Sequence, residues 1–281
     1  MHSNHFATRR AAFRKLHESG CFIIPNPWDA GSAHALETLG FKALATTSSG
    51  FAWSQAQPDH APGVDAVLAH CRQIVQASAL PVNVDFEDGH AQDIDGLRRN
   101  VHACIETGIA GLSIEDATGD PAQPLYAFGE AVARMRAARA AIDASGHDVL
   151  LVGRAECFLI DHPDALNESI RRLRAYADAG ADCLFAPGMR DLAQIANIVA
   201  AVAPKPVNVL VGRPAPFALA DLARIGVRRV SVGGALAGAA WGGFLRTAHA
   251  LAEGRFDGFA DNAQHMQMNA LMRASSPPVD P

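Results

Sequence analysis

No run of about 18 or more uncharged apolar residues occurs in the chain, so nothing in it reads as a membrane-spanning helix. The N-terminal stretch MHSNHFATRR lacks the apolar core of a secretory signal, and a cytoplasmic protein without membrane contact is the expectation. Charge is scarce as well: 19% of residues are charged, and the net value of −5 at pH 7 leaves no basic surplus. Nucleic acid, whose binding needs clustered Lys and Arg to neutralise phosphates, is therefore not an expected partner. The pairs Arg9–Arg10 and Arg171–Arg172 fall in helix-like stretches and read as solvated faces. Cysteines are few and scattered. Cys21, Cys71, Cys104, Cys157 and Cys183 form no CxxC pair and are odd in number, which argues for reduced thiols rather than a disulfide framework.

What the chain does have is apolar residues, at 49% of 281 positions, enough to bury the core of one large α/β domain. Short β-branched runs recur at 21–25, 42–47, 82–86, 111–115, 149–154, 183–187, 206–210 and 229–232. Helix-length segments rich in Ala, Leu and Arg lie between them, at 63–77, 93–107, 127–144, 163–179, 191–203 and 236–254. Eight parallel strands with helical crossovers predict a closed (β/α)₈ TIM barrel, which leaves no unprotected sheet edge; an open doubly wound sheet is the alternative. The domain reading is one barrel over 1–258, with an extra helix near 6–19 able to plug its floor. Residues 259–281, ending in SSPPVDP, read as a tail or as an arm packing on a neighbour.

In such a barrel the reactive groups stand at the C-terminal ends of strands and in the loops beyond them. That rule selects Asn26 and Asp29, then Thr46 to Gly50, then Asp85 and Glu87, Glu115 and Asp116, Arg154 and Glu156, and Asn208. The run PVNVDFEDG is the strongest signal, because Asp85 and Glu87 are two apart on a strand and so project to one side. With Glu115 on the next strand they offer three carboxylates that would repel unless a cation or proton joined them. Hard oxygen donors of this kind select Mg²⁺, or Mn²⁺, over Zn²⁺. Arg154 would add a permanent cation whose planar fork suits a substrate carboxylate, or else form a structural ion pair with Glu156 or Glu115. Arg213 could hold a second carboxylate or be a solvated loop residue, and His60 and His90 are loop histidines able to shuttle a proton. Cys157 reads as a small buried hydrophobe. The glycines of VGGALAG, with no GxxxxGK[ST] loop beside them, read as close packing of the last helix.

The ordered set PNPWDAGSA, TTSSG, VDFEDG, GLSIED, VGRAE, AGADCLFAPG and PVNVL resembles the isocitrate lyase and phosphoenolpyruvate mutase superfamily across most of residues 20–240. The resemblance implies a (β/α)₈ barrel, often with a C-terminal helix swapped between subunits of a homo-oligomer (dimer or tetramer), and bound Mg²⁺. It implies cleavage or formation of C–C or P–C bonds next to a small anionic 2-oxo acid, through an enolpyruvate-like anion. By position, Asp85, Glu87 and Glu115 resemble the superfamily's metal-site acids, with Asp85 a direct ligand, and Asp59 resembles an acid near the metal's waters. Ser48, Ser49 and Gly50 resemble the loop whose N–H groups receive substrate oxygens, with Thr47 beside them a further substrate-binding candidate. Arg154 and Asn208 resemble its substrate-contacting pair, and Arg154, Glu115 and Asp59 are the catalytic candidates.

The sequence also departs from that pattern. Isocitrate and methylisocitrate lyases carry a Lys-[Lys/Arg]-Cys-Gly-His loop after the fourth strand, whereas this chain has ATGDPAQPLY, without Cys, Lys or His. The Lys and Asn that phosphonomutases place there are missing too, and Gln123 is the loop's one amide. The glutamate expected after the sixth strand is replaced within FAPGM, and Glu156 stands where an Asp is usual. The expected function is a Mg²⁺-dependent C–C lyase or decarboxylase. The alternatives are phosphonomutase or phosphonopyruvate hydrolase chemistry, or a catalytically silent barrel that binds a metabolite.

Overall fold

The computed structural model describes residues 2–274. Helix α1 (His2–Leu16) leads into β1 (Phe22–Ile24), α2 (Ala30–Thr38) and β2 (Leu44–Ala45). Two helices, α3 (Ser48–Ser54) and α4 (Val64–Ala77), precede β3 (Val82–Asp85), followed by α5 (Ile94–Ile105) and β4 (Gly111–Glu115). The second half runs α6 (Phe128–Ser145), β5 (Leu150–Arg154), α7 (Ala165–Asp178), β6 (Cys183–Phe185), α8 (Leu192–Val202) and β7 (Val207–Leu210). Then come α9 (Leu219–Arg224), β8 (Arg229–Ser231), α10 (Ala235–Ala252) and α11 (His265–Arg273).

All eight strands are parallel, each paired with its sequence neighbour from β2 to β8, and β8 turns back to pair with β1. The seam between β1 and β2 is closed by the Ala45 N–H, which donates to Pro25 O at 3.0 Å. Seven helical crossovers between eight parallel strands make a (β/α)₈ barrel, as the alternation of strand and helix patterns predicts. Every strand starts and ends within three residues of its expected position. The helices α2, α3, α9 and α11 have no counterpart in the sequence reading, being short and without a clear apolar stripe.

The two largest of three packed apolar regions build the molecule. The larger lies between the sheet and the outer helices, where fully buried side chains such as Ile74, Leu97, Ile105 and Tyr176 cover the barrel wall. The smaller lies inside the barrel at its N-terminal end, where Phe13 of α1 packs with Ile24, Ala43, Ala110 and Leu150. Helix α1 is fastened there by Arg10, which donates to Ile109 O at 2.9 Å and Ile105 O at 3.2 Å. With the floor stoppered, the open space of the barrel lies at its C-terminal mouth. Helix α11 falls within the segment read as a tail, and it lies against α2 with His34 Nε2 3.2 Å from Leu271 O. The terminal SSPPVDP lies outside the described residues. All five cysteines are free, four buried and Cys21 half-buried, and no described helix is long and apolar enough to cross a membrane.

Candidate active site

Each strand end is held in place by a loop that spends its polar groups locally. Past β1, the Asn26 amide bonds Thr46 O at 2.8 Å while its oxygen accepts from the N–H groups of Val232 and Gly233, both at 2.9 Å. One side chain thus ties the exits of β1, β2 and β8 together. Past β2, Thr47 is the N-cap of α3 and accepts from Gly50 N at 3.3 Å, which fixes the turn carrying Ser48 and Ser49. A Cβ on Gly50 would come within 2.7 Å of Thr47 Cγ2 and 3.0 Å of Trp28 Cβ, so only glycine lets α3 pack this closely.

These loops ring a polar cavity of about 160 Å³ at the mouth of the barrel. Asn26, Thr46, Thr47, Ser48, Ser49, Asp59, Asp85, Arg154 and Asn208 line it, so nine of the sequence candidates meet in one place. Asp85 Oδ1 accepts from Arg154 Nη1 at 2.9 Å, and its Oδ2 accepts from Ser48 N at 3.2 Å. The same Arg154 Nη1 lies 2.9 Å from Glu115 Oε2, and Arg154 Nε donates to Glu156. One guanidinium therefore faces three carboxylates, and the ion pair with Glu115 or Glu156 is present together with the contact to Asp85. Phe185 covers one face of the guanidinium, its ring centroid 5.4 Å away.

Burial pushes the carboxyls of both Glu115 and Glu156 upward, against the pull of Arg154. For Arg154, burial opposes the charge, but Glu115, Glu156 and Asp85 outweigh it and hold the group firmly protonated. Glu156 is steadied from behind by Asp116, which accepts from Glu156 N at 2.8 Å, from Arg172 Nη1 at 3.0 Å and from Tyr176 OH at 2.5 Å. Asp116, a candidate from its place at a strand end, is thus a buried support for the loop.

Glu87 does not join Asp85. Strand β3 ends at Asp85, and Glu87 adopts a left-handed conformation with φ of 46°, so the alternation that would align the two acids stops short. Its carboxylate turns toward His60 Nδ1 at 3.4 Å and His90 Nδ1 at 3.6 Å. The bond to Glu87 raises His60 to about 9. This trio and Glu115 border a second cleft, beside the loop 117–126, which is pinned by a bridge between Ala117 and Leu125. Asp59 is exposed, and its Oδ1 accepts from the adjacent His60 N at 3.2 Å. Asn208, fully buried, donates to Ser231 Oγ at 2.9 Å and accepts from Arg229 Nε at 2.8 Å. Two of the three loop N–H groups, those of Ser48 and Gly50, are engaged by Asp85 and Thr47.

The sequence reading missed Arg229, a buried guanidinium at the bottom of the cavity with no acid beside it among the described residues. Burial lowers its pKa, and its other contacts are Asn83 Oδ1 at 3.4 Å and His17 Nε2 at 3.5 Å. The signal was available: Arg229 and Ser231 are two apart on β8 and so share the inward face.

Among the described residues no three acidic, histidine or cysteine side chains converge to form a metal cage. Mg²⁺, however, is commonly held by one or two carboxylates together with substrate and water. Asp85 and Glu115 meet that lesser requirement. Glu115 Oε2 is buried and has no aligned hydrogen bond despite its closeness to Arg154, and three carboxylates outnumber one guanidinium. An oxygen-seeking cation fits this surplus.

The family model for phosphoenolpyruvate phosphomutase matches residues 13–252. Oxaloacetate decarboxylase of Paraburkholderia xenovorans is 30% identical over 234 residues, covering 79% of this chain and 74% of its own. A solved structure from Burkholderia cenocepacia J2315, its activity given only as lyase/mutase, is 44% identical. It superimposes with a TM-score of 0.92 over 96% of this chain and 98% of that one. Oxaloacetate acetylhydrolase in complex with its product oxalate is 25% identical, with a TM-score of 0.84 over 95% and 94% of the two chains.

Proposed function

Because the chain belongs to the phosphoenolpyruvate phosphomutase family, within the isocitrate lyase and phosphoenolpyruvate mutase superfamily, we propose that it cleaves a C–C bond next to a small 2-oxo or 2-hydroxy acid. The observation that carries this reading is the single guanidinium of Arg154, set among Asp85, Glu115 and Glu156 at the edge of a polar cavity. An arginine so held is oriented before the substrate arrives and offers its remaining N–H groups to a carboxylate. Ser48 and Ser49 line the same cavity and offer hydroxyls to the substrate's oxygens. Arg229 below supplies a second positive field, so an anion entering the cavity meets a cation at its rim and another at its floor.

The acids that would hold a divalent cation are Asp85 and Glu115, with Asp59 and Glu87 as outer partners. Mg²⁺ bound there would supply Lewis acidity, stabilising the negative charge left on the 2-oxo acid fragment when the bond breaks. The loop after β4 offers no cysteine, lysine or histidine to this reaction, and Gln123 alone does not favour phosphoryl chemistry. We further infer a homo-oligomer, in which a second copy covers the exposed apolar side chains of α10, including Trp241, Phe244 and Leu245.

The test is turnover of oxaloacetate, phosphonopyruvate and 2-methylisocitrate, with and without EDTA. Product from a carbon acid that disappears on chelation and returns with Mg²⁺ is expected. The Asp85→Ala variant should melt within a few degrees of wild type yet lose about 10²-fold or more in kcat, as loss of a group that positions charge does. Full activity in that variant would rule out the metal assignment, and absence of product from every acid would favour a silent binding barrel.

A further inference from the structure

The polar cavity opens sideways into a cleft of about 690 Å³, and the two share Ser49, Leu210, Gly233 and Gly234 as a common border. The small cavity falls below the range of about 300–1,000 Å³ typical of ligand pockets, whereas the cleft lies well inside it. Their linings differ in kind. Trp53, Leu159, Met189, Phe217 and Val232 give the cleft apolar walls, and Trp53 and Leu159 are 37% and 50% exposed. At the rim stand Arg190 and Arg213, on the loops after β6 and β7. Neither has an acid partner among the described residues. Asp191, beside Arg190, spends its carboxylate on capping α8, accepting from Ala193 N at 2.6 Å.

We infer that this cleft is a substrate subsite: the enzyme takes a 2-oxo or 2-hydroxy acid whose third carbon carries an extended, mainly apolar substituent ending in an anionic group. The inference rests on the C–C cleavage reading, since the acid head must occupy the polar cavity for its tail to cross the shared border. Water in a cleft walled by Trp53, Leu159 and Phe217 is displaced favourably by a hydrocarbon chain, at about fourfold in affinity per methylene buried. An unpaired arginine lining the cleft adds a charge-assisted bond to a terminal carboxylate, on the order of tenfold. A four-carbon 2-oxo diacid alone would leave both resources unused.

A matched set of probes tests this. Decarboxylation of a 3-substituted oxaloacetate breaks the C3–C4 bond and releases CO₂. The electron pair stays on C3 as the enolate, and a solvent proton then gives the 2-oxo acid. Oxaloacetate, 3-pentyloxaloacetate and 3-(5-carboxypentyl)oxaloacetate thus lead to pyruvate, 2-oxooctanoate and 2-oxononanedioate. Calorimetry on the full chain with Mg²⁺ should show 2-oxononanedioate binding at least about 10²-fold more tightly than pyruvate, with 2-oxooctanoate between them. In the Arg190→Ala, Arg213→Ala double variant the advantage of 2-oxononanedioate over 2-oxooctanoate should vanish. Equal binding of all three acids overturns the subsite. An unchanged diacid preference in the double variant overturns the anionic terminus. Turnover separates this from the parent reading: if none of the three oxaloacetates releases CO₂, C–C cleavage of this substrate type fails, while the binding series still decides the cleft.

Discussion

His17 is held neutral inside the barrel floor by its surroundings. Burial, with Arg229, Arg14 and Arg228 nearby, brings its pKa down to about 3, although the ring donates through Nδ1 to Phe13 O at 2.8 Å, which pulls the other way. The unfolded chain takes up this proton near pH 6.5, whereas the folded chain refuses it until about pH 3. The stability His17 contributes is therefore complete above 6.5 and is lost as pH falls through that window, at about 1.4 kcal/mol per unit. His70, lowered to about 4 by burial against Phe51, acts in the same direction. Urea midpoints measured from pH 7 to pH 4 should fall for wild type and fall less steeply for His17→Gln. Parallel curves would show that His17 is not the titrating group. The same residues show what single positions reveal in a sequence. Asp85, Arg154 and Ser48 were legible because strand ends face the mouth, whatever the loop does afterwards. Glu87 was not, because period-two alternation holds only while the backbone stays extended, and a positive φ ends it. Arg229 escaped because a lone arginine opening a strand looks solvated until its inward partner Ser231 is considered.

Among the elements, α1 shows how a floor is built. Gly111 opens β4 where a Cβ would meet Phe13 Cε1 at 2.8 Å, Asn83 Oδ1 at 2.8 Å and Leu150 O at 3.2 Å. The missing side chain is what lets Phe13 enter the barrel. Gly111→Ala should therefore destabilise by about 1–3 kcal/mol through overpacking, seen as a lower urea midpoint with unchanged slope. An unshifted midpoint would mean that α1 can withdraw without loss. Strands were easy to find because each lies in a short, mainly apolar run, most of it buried, that cannot be mistaken for a surface helix. Helix α3 was hidden because TTSSGFAW has no apolar period, and its start depends on one hydroxyl, that of Thr47, which caps it.

For the whole molecule, α10 is the element that a lone chain leaves unfinished. Of its 18 residues only Ala237 and Ala250 are buried, while Phe244 is 59% and Leu245 48% exposed. Surfaces of this kind mark association sites. Sedimentation should give a mass that is a multiple of 29.6 kDa, and Phe244→Glu with Leu245→Lys should shift it toward one chain. A monomeric wild type would remove the proposed assembly. The closed barrel has a consequence of another sort, in time. Phe22 pairs with Arg229, and Asn26 waits for the N–H groups of Val232 and Gly233, so the start of the chain is completed by its far end. On a ribosome, β1 emerges before every other strand, and its edge facing β8 stays unpaired until the seven strands after it have been made. The cavity beside it can form only after the final strand is released.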